Sequence, residues 1–306
     1  VSNDSLYYHT SNYSGLIGSA SFKYSQMKII NQNDLLLLDD GIIYKYSTLS
    51  NKKIDLLNYD WTHCGTGYIN FSISGKGQYF TTKESCENKL VLMNSYNMQN
   101  YQAYPVSQVI TEGMNFYSLP VSDNGIVIAK DYSRINIYDV FNNKVIDYID
   151  SNAAIYSEGI SSNGTYFYIK TSQLSFYKIS NGIINTVWQS TPYTYNYVYL
   201  SSVFDPDNLD NVILYDGQTL YHKSASDFST LKSFQLKEES ILNFDFTCRR
   251  LLAYSDNQLS VYEIDTGELV AQIKANVNAS LTQHQCRLHN NVIYCKDGIR
   301  VNLPEE

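Results

Sequence analysis

The stretch Val121 to Asp150, VSDNGIVIAKDYSRINIYDVFNNKVIDYID, constrains the fold more than any other part of the chain. It holds three short apolar segments separated by turn chemistry. Asp123-Asn124-Gly125 is a turn, because Asn and Gly accept the positive φ that tight hairpins need. Ile126 to Ala129 is apolar and rich in β-branched residues, which suits a buried strand. Ile135-Asn136-Ile137-Tyr138 alternates apolar and polar, the period of a half-buried strand. Asn142-Asn143 turns the chain again, and Val145 to Ile149 is a third strand. A meander of this kind cannot cover its own apolar faces, so it needs copies of itself as neighbours.

The copies are present. Segments like Ile135–Tyr138 recur at Ile43–Tyr46, Leu90–Met93, Leu174–Tyr177, Leu220–Lys223, Leu259–Tyr262 and Ile299–Asn302. Their last residues stand 47, 45, 39, 46, 39 and 40 positions apart. A repeat of about 40–45 residues is the length of one four-stranded propeller blade. The fold expected is all-β: a single seven-bladed β-propeller over residues 1–306, with four antiparallel strands per blade. The blades fall at roughly 20–58, 66–106, 113–150, 154–190, 196–236, 241–274 and 279–303. The seventh copy lacks a fourth strand, and Ser5–His9 is strand-like, so residues 5–10 are expected to complete that blade and remove free sheet edges. Leu16 to Ala20, with two Gly, then reads as the crossing into the first blade.

Turn residues recur with the strands. Ser74–Gly77, Ser122–Gly125 and Ser161–Gly164 precede second strands, and Asp205–Asn208 takes their place in the fifth copy. The following turn usually carries an acid: Asp39-Asp40-Gly41, Glu84 to Glu87, Asp131, Asp216-Gly217, Asp256-Asn257 and Asp297-Gly298. Hairpin tips stand far apart around a ring, so these acids are read as turn formers and not as metal ligands. Asp205, Asp207 and Asp210 alternate like a calcium loop but lack its Gly and its terminal Glu. No metal and no cofactor is expected.

The order turn, strand, Tyr-Asp or Tyr-Glu, turn, strand is clearest at Ile135–Ile149 and at Leu259–Ile273 (LSVYEIDTGELVAQI). Here the chain resembles WD40-type and quinoprotein-like seven-bladed propellers, with Tyr138-Asp139 and Tyr262-Glu263 where WD40 repeats carry Trp-Asp. The Gly-His pair of WD40 repeats is absent. The resemblance covers the whole chain as architecture, without pointing to one family within it.

Composition narrows the function. A formal net charge of −8 with only five Arg disfavours binding to a phosphate backbone, so nucleic acid is not an expected partner. No apolar run approaches the ~18 residues of a membrane span. The chain begins at Val1 and not at an initiator Met, so it is expected to be processed or an excised fragment, with any signal peptide or lipid anchor upstream of it. Five Cys occur, at 64, 86, 248, 286 and 295, with no CxxC pair. If Asn290-Asn291 is a two-residue loop, Cys286 faces Cys295 in a close, non-hydrogen-bonded pair. Cys64 and Cys86 lie in loops that a propeller brings to one face. Both pairs are disulfide candidates, and disulfides point to a secreted, periplasmic or cell-surface location.

The residues left for function are aromatic. Trp61, His63, Trp188, Tyr193 and Tyr195 fall in or near the loops leading into blades two and five, which share one face. Such rings give a rigid apolar surface with a polar edge. The expected function is therefore an exported binding module for a protein or carbohydrate ligand, with no catalytic residues. Two alternatives stand beside it. One is a propeller enzyme, acting on glycans or as a quinone-dependent dehydrogenase, which needs converging acids and bases. The other is an intracellular WD40-like scaffold, which needs reduced cysteines.

Overall fold

Backbone hydrogen bonding in the computed structural model gathers the strands into seven small antiparallel sheets, and no helix occurs among the described residues. Those residues are 7–8, 17–19, 26–31, 33–39, 42–56, 71–84, 89–95, 101–105, 119–130, 134–151, 153, 155, 157–191, 203–204, 211–216, 218–236, 240–244, 249–255, 258–274, 286–295 and 299–303.

Two short N-terminal strands come first, β1 (Tyr7–Tyr8) and β2 (Ile17–Ser19). The first sheet is β3 (Gln26–Ile29), β4 (Asp34–Asp39), β5 (Ile42–Ser47) and β6 (Lys52–Leu56). The second is β7 (Phe71–Ile73), β8 (Tyr79–Glu84), β9 (Lys89–Asn94) and β10 (Tyr101–Pro105). The third has β11 (Ile126–Lys130), β12 (Arg134–Asp139) and β13 (Lys144–Asp150), and Val121 bridges to Val127 on the side away from β12. The fourth is β14 (Ser157–Ile160), β15 (Tyr166–Lys170), β16 (Leu174–Ser180) and β17 (Ile183–Gln189). The fifth is β18 (Val203–Phe204), β19 (Asn211–Tyr215), β20 (Thr219–Ser224) and β21 (Thr230–Gln235). The sixth is β22 (Ser240–Phe244), β23 (Arg250–Ser255), β24 (Gln258–Glu263) and β25 (Leu269–Lys274). The last holds β26 (Cys286–His289), β27 (Val292–Cys295) and β28 (Ile299–Asn302).

The middle strands carry the core. β15 is buried along its whole length and β12 over Ile135–Tyr138, whereas the residues of β13, β17 and β21 are half-buried or exposed. This is the pattern of a meander whose last strand lies outermost. The apolar clusters lie between sheets. Ile126, Ile128, Ile135 and Ile137 of the third sheet pack on Phe167, Ile169 and Tyr177 of the fourth. Phe176 and Trp188 of the fourth meet Phe228 of the fifth at ring-centroid distances of 4.2 and 4.3 Å. Leu252, Leu259 and Val261 of the sixth pack on Leu288, Ile293 and Val301 of the last. Tyr294 of the last joins Met27, Leu35, Leu37 and Tyr44 of the first. No sheet buries its faces alone, as the repeat analysis required.

The N-terminal segment differs from the sequence expectation. The strand beside Val301 is β2, with Ile17 opposite Val301 and Ser19 opposite Ile299. β1 adds to the outer edge of β25 in the preceding sheet, Tyr7 opposite Lys274. Of the expected closing segment 5–10, Tyr7–Tyr8 therefore does not pair with the last sheet, and of 16–20, Ile17–Ser19 is a paired strand and not simply a crossing. Pairing follows which edge offers unpaired N–H and C=O groups, and Ile17–Ser19 meets those of β28.

Candidate interaction surfaces

Each repeated turn is built from a buried Ser. The N–H of Tyr79, Ile126 and Tyr166 donates to Oγ of Ser74, Ser122 and Ser161 at 3.0, 2.9 and 2.9 Å. The turn then closes from a Gly at positive φ, as Gly77, Gly125 and Gly164 donate to the carbonyls of those serines. The three turns are also tied to one another. Asp123 accepts from Ser74 Oγ and from Lys76 N, and donates its own N–H to Ser162 O at 2.7 Å. Asn124 Nδ2 donates to Asn163 O at 2.8 Å. A polar ladder thus crosses sheets two, three and four on the face of these turns, and its groups are largely engaged with each other.

The acids of the sequence repeats do structural work. Asp216 Oδ1 accepts from Gln218 N and Thr219 N at 3.0 and 2.8 Å, and Tyr221 OH donates to its other oxygen at 2.9 Å. Burial and this carboxylate push the Tyr221 hydroxyl above its ordinary pKa. Asp139, in the Tyr-Asp position, accepts from Asn142 N at 3.0 Å and closes its turn. Glu263, in the Tyr-Glu position, accepts from Arg250 Nε at 2.5 Å, and Arg250 Nη1 reaches Asn291 Oδ1 in the last sheet. Among the described residues no three His, Cys, Asp or Glu side chains gather as a metal set.

Of the predicted binding residues, Trp188 lies on β17 with its ring stacked on Phe228, so it packs between two sheets and does not project from a loop. Trp61, His63, Tyr193 and Tyr195 lie outside the described residues, as do Cys64 and Cys86. Cys286 and Cys295 are opposite each other across Asn290-Asn291, the register expected from the sequence, and form a disulfide that this register allows. His222 is structural: its Nε2 donates to Ile264 O at 2.8 Å, tying sheet five to sheet six.

Two features escaped the sequence reading. Lys28 on β3 keeps an exposed side chain, yet the protein around it and the charge of Arg287 on β26 push its ammonium below the ordinary Lys pKa. The second is an edge. β17 ends its sheet and contains Ile-Ile-Asn-Thr-Val-Trp-Gln, with no charge and no Pro. Sequence patterning finds strands readily but does not say which of them is left at an edge.

No family model matches this chain, and no curated protein matches it either. Solved structures do. Raptor of Chaetomium thermophilum is similar over 95% of this chain with a TM-score of 0.62 at 12% identity, and the match spans 29% of that protein's chain. The chain therefore covers less than a third of Raptor. A chain in the crystal structure of a mitotic checkpoint complex is similar over 95% of this one and 91% of its own length, with a TM-score of 0.63 at 10% identity. At 12% and 10% identity both likenesses bear on the fold alone, and the fold of this chain is a β-propeller.

Proposed function

We propose that the chain is a seven-bladed propeller acting as a protein-interaction module, with each sheet a blade and β2 the strand that seals the ring. The observation that carries the reading is the match of 95% of the chain to a propeller crystallised within a multiprotein complex. This is an analogy of fold, and the site must supply the rest. Packing supports the ring, since Tyr294 of the last sheet shares a cluster with Met27 and Tyr44 of the first. Lys28 and Arg287 then stand on innermost strands, facing a water-filled axis.

The polar ladder uses up much of the hydrogen-bonding capacity of one face. That leaves the opposite face, to which the sequence reading assigns the loops holding Trp61, His63, Tyr193 and Tyr195, as the proposed recognition surface. Loops varied on a rigid ring are how such folds gain partners. The test is chemical cross-linking of the purified protein to its partners in source material, followed by affinity measurement on the partner recovered. Trp61→Ala combined with Tyr195→Ala should weaken binding about tenfold or more, as loss of aromatic anchors does. The control Lys232→Ala on β21 should not. Equal affinity for all three proteins rejects this face.

The Cys286–Cys295 bond supports an exported location, in a secreted, periplasmic or cell-surface setting. Thiols counted in the denatured chain decide the matter. Three free thiols before reduction, or one if Cys64 and Cys86 are also joined, fit export; five contradict it.

A further inference from the structure

We infer that Asn181 is a site of chemical ageing: its side chain closes on the Gly182 amide, loses ammonia and leaves isoaspartate, which loosens the joint between the third and fourth sheets. This goes beyond the recognition surface proposed above and does not rest on it. Asn-Gly is the sequence in which this reaction is easiest, because Gly puts no Cβ in the way of the attacking amide. The chain holds three such pairs, Asn124-Gly125, Asn163-Gly164 and Asn181-Gly182. All three Asn are exposed, so exposure does not separate them. Their hydrogen bonds do.

Two of the pairs are held. Gly125 N donates to Ser122 O at 3.1 Å, and Gly164 N to Ser161 O at 2.9 Å. Asn124 Oδ1 accepts from Ser122 Oγ, and its Nδ2 donates to Asn163 O at 2.8 Å. Asn163 Oδ1 accepts from Ser161 Oγ and Thr165 N at 2.9 and 3.0 Å. The space at each Gly is also filled. A Cβ would stand 2.5 Å from the Phe141 ring at Gly125, and 2.7 Å from Asn124 Oδ1 at Gly164. Asn181-Gly182 differs on each count. Neither the Gly182 N–H nor the Asn181 side chain has a hydrogen-bond partner among the described residues. Nothing lies within 4 Å of a Cβ placed at Gly182. The pair is the loop between β16 and β17, with its residues at φ 53° and 73°. Attack needs the side chain to swing onto the Gly182 nitrogen, and only the tip of one hairpin has to open for that.

The chemistry needs only base and water. The Gly182 nitrogen gives its proton to hydroxide and attacks Asn181 Cγ. The new N–C bond closes a succinimide, the Cγ–Nδ2 bond breaks, and Nδ2 takes a proton from water and leaves as ammonia. Water then opens one of the two ring carbonyls, giving aspartate or isoaspartate. Isoaspartate adds a methylene to the backbone, and loop length fixes the register of a hairpin. Here that register sets Ser180 opposite Ile183. Ile184, just beyond, donates its N–H to Asp147 Oδ2 at 2.8 Å. A lengthened loop displaces this donor and so weakens the tie between β17 and β13.

The test is peptide mapping by mass spectrometry of the full chain held at mildly alkaline pH, folded and in guanidinium chloride. In the folded chain Asn181 should convert about tenfold or more faster than Asn124 and Asn163, whose hydrogen bonds must break first. Isoaspartate should exceed aspartate among the products. In guanidinium chloride the three rates should converge to within about threefold, because each Asn precedes Gly and no hydrogen bond then protects it. Asn181→Gly, which suits the same loop, should remove the early event and leave the other two rates unchanged. Amide exchange at Ile184 should be faster in the aged chain than in the fresh one. No conversion at Asn181, equal rates at the three sites in the folded chain, or aspartate without isoaspartate overturns the proposal. So does unchanged exchange at Ile184 once isoaspartate has formed.

Discussion

Phe228 stands at φ 61°, a left-handed conformation that a bulky side chain adopts at a cost. Its ring fills the space between sheets four and five, against Phe176 and Trp188, and lies 4.6 Å from the Lys223 ammonium. Burial lowers the pKa of that Lys. The packing outweighs the backbone cost, so Phe228→Ala should destabilise the fold by about 3 kcal/mol in urea unfolding, even though Ala fits this φ no better. Asp123 works by hydrogen bonds instead. Its carboxylate serves Ser74 and Lys76 of the neighbouring turn, and Asp123→Ala should cost about 1–2 kcal/mol by the same measurement.

At the scale of elements, five hairpins share one construction. A register shift falls just before or at Tyr46, Tyr138, Tyr177, Lys223 and Tyr262. Five residues later the chain takes positive φ, at Asn51, Asn143, Gly182, Phe228 and Gly267. The bulge adds twist and the left-handed residue closes the turn. In the first and third sheets the Tyr hydroxyl also donates to the Asn of the turn, Tyr46 to Asn51 and Tyr138 to Asn143. The Ser-to-Gly turns couple elements more tightly. A Cβ on Gly77 would stand 1.5 Å from the carbonyl oxygen of Ile30 in the first sheet, at φ 71°. Gly77→Ala therefore has no local remedy, and should cost more than about 3 kcal/mol or yield insoluble protein on expression. Reduction of Cys286–Cys295 acts on the β26–β27 hairpin alone. With nine residues of separation it should lower stability by about 2 kcal/mol, seen as a smaller urea midpoint in reductant.

Across the whole molecule, neighbouring sheets are joined by specific contacts as well as by apolar packing. Lys45 Nζ donates to Ser95 O between sheets one and two at 3.5 Å, Thr81 Oγ1 to Leu119 O between two and three at 2.6 Å, and Ile184 N to Asp147 between three and four. His222 links five to six, and Arg250 links six to seven. Stability so distributed depends on each sheet keeping its neighbours. Removing residues 1–10 deletes β1, which only covers an outer strand already in its sheet. Removing residues 1–19 deletes β2 as well and exposes β28. The shorter truncation should keep a single cooperative thermal transition with a small shift, and the longer should lower the midpoint by about 10 °C or split the transition. Equal melting of the two truncated chains would mean that β2 contributes nothing.

Much of this was legible in the residues. The positions 46, 138, 177, 223 and 262, five of the seven marked by the recurring strand pattern, are where the hairpin shifts occur, because a bulged turn recurs at the same offset in those copies. The facing of Cys286 and Cys295 followed from Asn290-Asn291, since a two-residue loop leaves one register. Local chemistry of that kind is written in order along the chain. What it does not contain is which distant edge a short segment finds. Tyr7–Tyr8 and Ile17–Ser19 took the edges of β25 and β28, Trp188 turned inward onto Phe228, and Ile184 of β17 gave its N–H to Asp147 of the neighbouring sheet. Those outcomes rest on backbone groups and cavities that exist only once the sheets have packed together, so tertiary structure alone decided them.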